Sequence, residues 1–332
     1  MSKNQFSTIL ITGGCGFIGS NFIHGFLSRY PDVTLVNLDA LTYAGNPQNL
    51  SSIEGHPSYC FEKGFCQDAA FVKSLFEKYR FDAVIHFAAE SHVDRSIHDS
   101  SPFIDTNIIG THTLLQHAKQ YNVKRYIQVS TDEVYGELGA DGFFTETTPL
   151  KPNSPYSASK ASADLLVRSF VETYQFPAII TRCSNNYGPY QFPEKLIPLM
   201  IQHCLDDLPL PVYGRGENIR DWIHVEDHCN GIESALFNGL DGEVYNFGGN
   251  SERKNIDLVR ELIALLKSQS QIEYVTDRLG HDFRYAIDNS KAKKFLGWSP
   301  KKTFELGLRE TVEWYQSNQG WVTAIKENRY QK

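Results

Sequence analysis

Short apolar runs alternate with longer amphipathic stretches through the first half of the chain. The runs fall at residues 9–12, 33–39, 83–89, 126–130 and 178–182, with helix-length stretches at 16–30, 68–79, 105–121 and 156–174 between them. The runs are apolar throughout rather than alternating, the mark of strands buried on both faces. Strands alternating with helices predict a parallel sheet covered on both sides: an α/β, Rossmann-type doubly wound fold.

The texture changes after Arg182. Pro189, Pro193, Pro198, Pro209 and Pro211 punctuate a looser stretch up to Trp222. Residues 223–240 read as a return to the core and Val244–Phe247 as a strand. A helix at 256–268, a strand at Ile272–Val275 and a helix at Phe304–Ser317 follow. The pattern divides the chain into a dinucleotide-binding lobe, 1–183 plus 223–248, and a smaller, interleaved C-terminal substrate lobe, 184–222 plus 249–332. No internal repeat or low-complexity tract is present.

The 332 residues are 41% hydrophobic and carry a net charge of −7. Such a balance argues against a nucleic-acid partner, which asks for a basic stripe. Lys301-Lys302 is too short for one. The six cysteines form no Cys-x-x-Cys and no zinc-ligand spacing, so no metal is expected. No basic leader or long apolar segment opens the sequence, and a reduced, cytoplasmic protein without a membrane partner is expected.

Gly13-Gly-Cys-Gly16-Phe-Ile-Gly19 joins the first strand to the first helix. Glycines at these places allow a tight turn, close approach of backbone to a pyrophosphate, and close helix–strand packing. The helix start adds free N–H groups and its positive dipole end. Asp39 ends the second strand, 20 residues beyond Gly19. Its carboxylate can accept from a ribose diol and would repel a 2′-phosphate, which favours NAD over NADP. In isolation the same glycines would also suit a purely structural turn.

Tyr156 and Lys160 are four residues apart and share a helix face. An ammonium beside a phenol favours phenolate, which brings the tyrosine pKa down from its ordinary value and makes it a base. Ser130-Thr-Asp-Glu-Val-Tyr-Gly136 follows a buried run and sets two carboxylates side by side. Either acid could cap the turn that follows. Alternatively the two have separate proton-transfer tasks, with pKa values driven apart by their surroundings.

Together with the Gly-x-x-Gly-x-x-Gly spacing, Tyr156-Ser-Ala-Ser-Lys160 resembles the extended short-chain dehydrogenase/reductase family. The acid pair sharpens this to the dTDP-glucose 4,6-dehydratase branch. Further agreement lies in His86-Phe-Ala-Ala-Glu-Ser-His-Val-Asp-Arg-Ser96, Cys183-Ser-Asn-Asn-Tyr-Gly-Pro189, Glu194-Lys-Leu-Ile-Pro198, Arg220-Asp-Trp222 and Asp277-Arg-Leu-Gly-His-Asp282.

The resemblance implies a dTDP-glucose-type substrate oxidised at C4, dehydrated across C5–C6 and reduced at C6. Tyr156 would act as base at the 4-hydroxyl, Lys160 would support it, and Thr131 would bond the C4 oxygen. Glu133 would remove the C5 proton and Asp132 would protonate the departing 6-hydroxyl. NAD would lie on Gly13, Gly16, Phe17, Ile18, Gly19, Asp39, Thr42, Ala88, Ala89, Thr106, Tyr156, Lys160 and Asn186. Substrate would meet Ser91, His92, Thr131, Asn185, Glu194, Lys195, Arg220, Asn255, Arg278 and His281.

A homodimer and a product feeding rhamnose or other deoxysugars are implied as well. UDP- or CDP-glucose dehydration and nucleotide-sugar epimerisation remain alternatives, though an epimerase has no use for the acid pair. His86 reads as a satisfied core residue, and Asp221-x-x-His224 as structural rather than metal-binding. One departure stands out. The family usually has Asp-Ile after the third strand, with the Asp on the adenine; this chain has Phe65-Cys66. Either that hydrogen bond is missing or Asp68 supplies it.

Overall fold

Seven parallel strands form the central sheet of the computed structural model, which describes residues 5–277 and 280–327. They are β1 (Thr8–Thr12), β2 (Thr34–Asp39), β3 (Tyr59–Lys63), β4 (Ala83–His86), β5 (Arg125–Thr131), β6 (Ala178–Cys183) and, after β7 (Asn185–Tyr187), β8 (Leu210–Tyr213) and β9 (Ile219–His224), β10 (Val244–Phe247). The order across the sheet is β10-β6-β5-β4-β1-β2-β3. It reverses between β1 and β4, where the carboxyl ends of an open α/β sheet leave a ligand crevice. The doubly wound expectation holds.

Burial on both faces explains the continuous apolar runs. Ile9 and Ile11 pack with Phe22, Phe26 and Ile127 on one side. Leu10, Val36 and Val84 pack with Phe76, Leu114 and Tyr126 on the other. Two later strands, β11 (Glu252–Lys254) and β12 (Ile272–Val275), complete small sheets ordered β11-β9-β7 and β12-β8. These small sheets pack with the helices Leu196–Leu205, Asn255–Leu266 and Phe304–Ser317 around a separate core of Ile197, Met200, Trp222, Leu258 and Tyr315.

The helix Pro155–Tyr174 is the main positioning element. Ser154 and Ser157 form a reciprocal capping box, and Pro155 supplies the preset φ of a first helical residue. Tyr156, Lys160, Ala163, Asp164 and Val167 recur on its buried face at helical spacing. The expected helix at 105–121 is in fact two kinds of helix. Ile104–Gly110 is a π-helical segment, and the α-helix runs over Thr111–Gln120. Within the wider turn Asn107 reaches outward: its amide donates to Glu90 O at 3.0 Å and to Ser159 Oγ at 2.8 Å.

The stretch before Trp222 is not all loop, because β9 includes Arg220 and Asp221. The Asp221 carboxylate accepts the backbone N–H groups of Gly249 and Ser251, and His224 caps the helix Val225–Asn238. Both residues are therefore structural. Among the described residues no helix is long and apolar enough to cross a membrane, and no three metal-ligating side chains gather.

Candidate active site

The loop after β1 is shaped by glycine. Gly13 has φ +71°, and a β-carbon there would stand 2.6 Å from the Ala88 nitrogen. A β-carbon on Gly19 would lie 2.4 Å from Gly13 O, so the helix Phe17–Arg29 sits directly on the loop. That helix opens with neither a side-chain cap nor an acidic residue in its first turn. Its N–H groups and dipole are left for an anion. Asp39 is fixed beside the loop, accepting from Cys15 N at 2.9 Å and Leu41 N at 2.8 Å. Burial pushes its carboxyl pKa up.

A single cavity runs from this cradle to the end of β5. Gly13, Gly16, Phe17, Ile18, Gly19 and Asp39 line one end, with Thr42, Ala88, Ala89 and Thr106 beyond; Tyr156, Lys160 and Asn186 line the other. A cradle that β-carbons would fill, joined to a carboxylate that suits a ribose diol, fits NAD. Sequence reasoning missed Tyr43, Glu90, Gln67, Cys183 and Gln191, which also line the cavity. Only their nearness to strand ends could have signalled them.

Asp68 does not replace the adenine-facing acid. Its carboxylate caps the helix Ala69–Tyr79 through Phe71 N at 3.0 Å, and it is not among the cavity's lining residues. Phe65 lines the cavity instead with 49% of its surface exposed, beside buried Cys66.

At the end of β5 the chain makes one short 3-10 turn, Asp132–Tyr135. Thr131 caps it, its hydroxyl accepting Glu133 N at 3.2 Å. Neither acid is therefore used as the cap. Asp132 is buried, and its pKa is driven well above the ordinary carboxylate value by burial, then by Glu133 and Asp221, against a smaller opposing pull from Arg220. Its Oδ1 accepts from Thr131 Oγ1 at 3.4 Å, while Oδ2 is buried without a partner. Its surroundings thus favour the protonated form.

Tyr156 lines the same cavity, close enough to the Thr131 hydroxyl to feel it. The phenol pKa is raised, not lowered, by burial and then by Glu133, Cys183 and Asp132. The Lys160 ammonium donates to Val129 O at 2.7 Å. Burial lowers the Lys160 pKa, with Asp164 and then Cys183 opposing. Burial first, and then the neighbouring acids, set the direction, while the Lys160 ammonium is directed at a carbonyl.

At the mouth, Ser91, Asn185, Glu194 and Lys195 line the cavity. Glu194 lies 3.0 Å from Arg95 and 3.6 Å from His92, which itself is outside the lining. Lys195 Nζ donates to Ser91 O at 3.3 Å. The Arg95 guanidinium lies over the Tyr43 ring at 3.7 Å. Arg220, Asn255 and His281 are not brought to this cavity. Arg220 donates to the carbonyls of Ile219, Asp282 and Phe283, and its guanidinium covers Tyr285. Asn255 begins a helix, its N–H on Asn218 O. His281 pairs with Asp277 at 2.6 Å. Arg278 lies outside the described residues. His86 bridges Thr12 and Thr111 in the sheet, where burial holds its pKa near 3 and keeps it neutral.

The family model described as GDP-mannose 4,6 dehydratase matches residues 10–311. A curated dTDP-glucose 4,6-dehydratase of Xanthomonas campestris pv. campestris (strain B100) is 53% identical, over 98% of this chain and 97% of its own. The crystal structure of dTDP-glucose 4,6-dehydratase from Bacillus anthracis str. Ames in complex with NAD is 52% identical with a TM-score of 0.90, covering 96% of this chain and 99% of that one. The Streptomyces venezuelae dTDP-glucose 4,6-dehydratase, with NAD and TDP bound, is 48% identical with a TM-score of 0.93 and the same coverage. On this likeness over nearly its whole length, the chain belongs to the dTDP-glucose 4,6-dehydratase family of extended short-chain dehydrogenases/reductases.

Proposed function

We propose that this protein is a lyase that converts dTDP-glucose to dTDP-4-keto-6-deoxyglucose with NAD as cofactor. The observation that carries the reading is Asp132: a buried acid with an unpartnered oxygen, its pKa raised by burial, on the same cavity as Glu133 and Tyr156. An epimerase or simple dehydrogenase has no step for a proton donor there.

NAD, when bound, would supply the hydride transfer between sugar C4 and C6. The chain's residues move the protons. Tyr156 acts as its phenolate, its own proton having gone to solvent, and takes the proton of the 4-hydroxyl, with the Thr131 hydroxyl bonded to the same oxygen. The ketone at C4 acidifies the C5 proton, and Glu133 removes it. Asp132 gives its proton to the departing 6-hydroxyl, and water leaves. A proton then returns to C5 from Glu133; Tyr156 releases the proton it took and Asp132 regains one through solvent, so both groups are reset and the product stays a ketone. Lys160 supports Tyr156 and the nicotinamide ribose.

Gly13, Gly16, Gly19 and Asp39 would hold the pyrophosphate and ribose, with Phe17, Ile18, Thr42, Ala88, Ala89, Thr106 and Asn186 around them. Ser91, Asn185, Glu194 and Lys195 would receive the sugar and diphosphate. Arg220, Asn255, Arg278 and His281 would serve the nucleotide end, as the resemblance implies. We assign the lobes as 1–183 plus 223–248 and 184–222 plus 249–332. The exposed side chains of Ile104, Ile109 and Leu165 support a homodimer built on the helices that carry them. Six free cysteines suit a cytoplasmic enzyme.

The test is turnover of dTDP-glucose by purified protein without added cofactor, read as alkaline absorbance of the 4-keto product, beside Glu133→Gln. Product from the wild type, lost in the variant, supports the reading. No product even with added NAD would sink it.

A further inference from the structure

Behind the cavity, one line of buried side chains joins the elements that carry the catalytic groups. Asp164 lies one helical turn from Lys160 on the helix Pro155–Tyr174. Its Oδ2 accepts from Arg182 Nε at 2.9 Å, with the two side chains 1% and 6% exposed. Arg182, on β6, donates through Nη1 to the Tyr135 hydroxyl at 2.9 Å. Tyr135 ends the turn that begins at Asp132, and its hydroxyl donates to Asn246 Oδ1 on β10 at 2.8 Å. Asp164, Arg182 and Tyr135 do not line the cavity, so none of them meets substrate or cofactor.

Burying an ion pair is a poor way to gain stability, since desolvation can outweigh the attraction. This pair supplies two things that an apolar pair would not. It sets a negative charge one turn from Lys160, and it clamps a planar donor fork onto the acid turn. Asp164 Oδ1 is buried without a hydrogen-bond partner, so part of its charge is not spent on Arg182. The titratable groups near Lys160 are Asp164 and Tyr156 on its own helix, Cys183 on β6 and His86 on β4. Burial keeps the Cys183 thiol and the His86 imidazole neutral. Glu133 and Asp132 face Tyr156 from the acid turn.

We propose that the Asp164–Arg182 pair is a positioning device for this site, holding Lys160 as an ammonium behind Tyr156 and fixing the turn that carries Asp132 and Glu133. The proposal rests on the catalytic roles given above. Burial lowers the Lys160 pKa, and the Asp164 carboxylate one turn away opposes that shift.

The test compares Asp164→Asn, Arg182→Lys and the charge-neutral double variant Asp164→Asn/Arg182→Gln with wild type, by thermal melting and by kcat and KM across pH. In Asp164→Asn the alkaline limb of kcat should move to lower pH by about one unit, with kcat down about tenfold at neutral pH and KM little changed. Arg182→Lys keeps the charge pair and should keep the wild-type alkaline limb. The double variant guards against misfolding caused by a lone buried charge, and its limb should move as in Asp164→Asn. A purely structural pair would lower the melting temperature and leave the limb in place, which overturns the proposal. It is also overturned if neither Asp164 variant folds, because the pair is then a folding element. A wild type that does not turn over dTDP-glucose would instead refute the function on which the proposal rests.

Discussion

The Thr131 hydroxyl accepts the backbone N–H of Glu133 at 3.2 Å. This one hydrogen bond caps the acid turn and leaves both carboxylates available. It also gives Thr131 two structural duties besides any contact with substrate, because the same hydroxyl meets the Tyr156 phenol. Thr131→Val keeps the shape and removes the hydroxyl. Its loss should cost about 1 kcal/mol of stability through the cap, and kcat should fall about 100-fold because Tyr156 and the C4 oxygen lose a shared partner. Melting curves and steady-state rates on one preparation check both. A rate change no larger than the stability loss explains would refute the second duty.

Asp132 is stabilised in its neutral form, so its ionisation opposes folding. A carboxyl whose folded pKa exceeds its unfolded value leaves stability intact below the unfolded pKa and subtracts from it as pH rises toward the folded one. Asp132→Asn removes that cost. The variant should melt above wild type at neutral pH, and the gap should close toward pH 4. Its kcat should fall at least about 100-fold for lack of a proton donor. Equal melting temperatures at pH 7 would show that Asp132 is not held protonated.

Gly13 tests the cofactor cradle. Its φ is +71°, and a β-carbon would stand 2.6 Å from Ala88 N and 2.7 Å from Ala88 Cα. Gly13→Ala must shift the loop against backbone, so it should lower stability by about 1–3 kcal/mol. It should also abolish NAD retention through gel filtration. Retention at the wild-type level would show that the loop is not the pyrophosphate seat.

Much of this was legible in the sequence because burial on both faces writes strands as unbroken apolar runs, as in Ile9–Leu10–Ile11. β9 was not legible. Its Arg220 and Asp221 look like loop residues, and only the tertiary fold supplies the carbonyls and N–H groups that satisfy them. The π-helical turn at Asn107 leaves no period that separates it from an α-helix. The acid pair was legible as neighbours at a strand end, but not the cap: Thr131 takes that role by a local backbone contact that propensity assigns equally well to Asp. The residues for the nucleotide end came from resemblance alone; here the Arg220 and His281 side chains meet other partners, and Asn255 Oδ1 is buried without one.

Phe65 occupies a cavity edge where the resemblance would have put an acid. With half its surface exposed at the end of β3, its ring offers an apolar contact in place of a hydrogen bond. Phe65→Ala should weaken NAD binding about five- to tenfold, the scale of one lost aromatic contact. Nicotinamide mononucleotide, which has no adenine, should bind both proteins alike. Calorimetric titration with the two ligands on cofactor-stripped protein separates them. Equal loss for both ligands would move Phe65 away from the base.

His228 links acid sensitivity to the cofactor side of the cavity. It is fully buried on the helix Val225–Asn238, and burial holds its pKa near 3. The Asn186 amide donates to Ser184 O and Cys183, so its oxygen is the acceptor and His228 Nδ1 donates to it at 2.9 Å. The imidazole is therefore neutral and oriented. A histidine with a depressed folded pKa contributes stability that is present above its unfolded pKa of 6.5 and is lost as pH falls toward 3. His86 behaves alike, from the sheet. Over that interval each should add one proton to the uptake on unfolding. His228→Gln keeps a donor for Asn186 and removes one titrating group. Its melting temperature should fall less steeply than that of wild type between pH 6 and 4, by about one proton in the linkage slope. Parallel slopes would mean that His228 is already charged in the folded protein, and the Asn186 contact would then have to be assigned to the other protonation state.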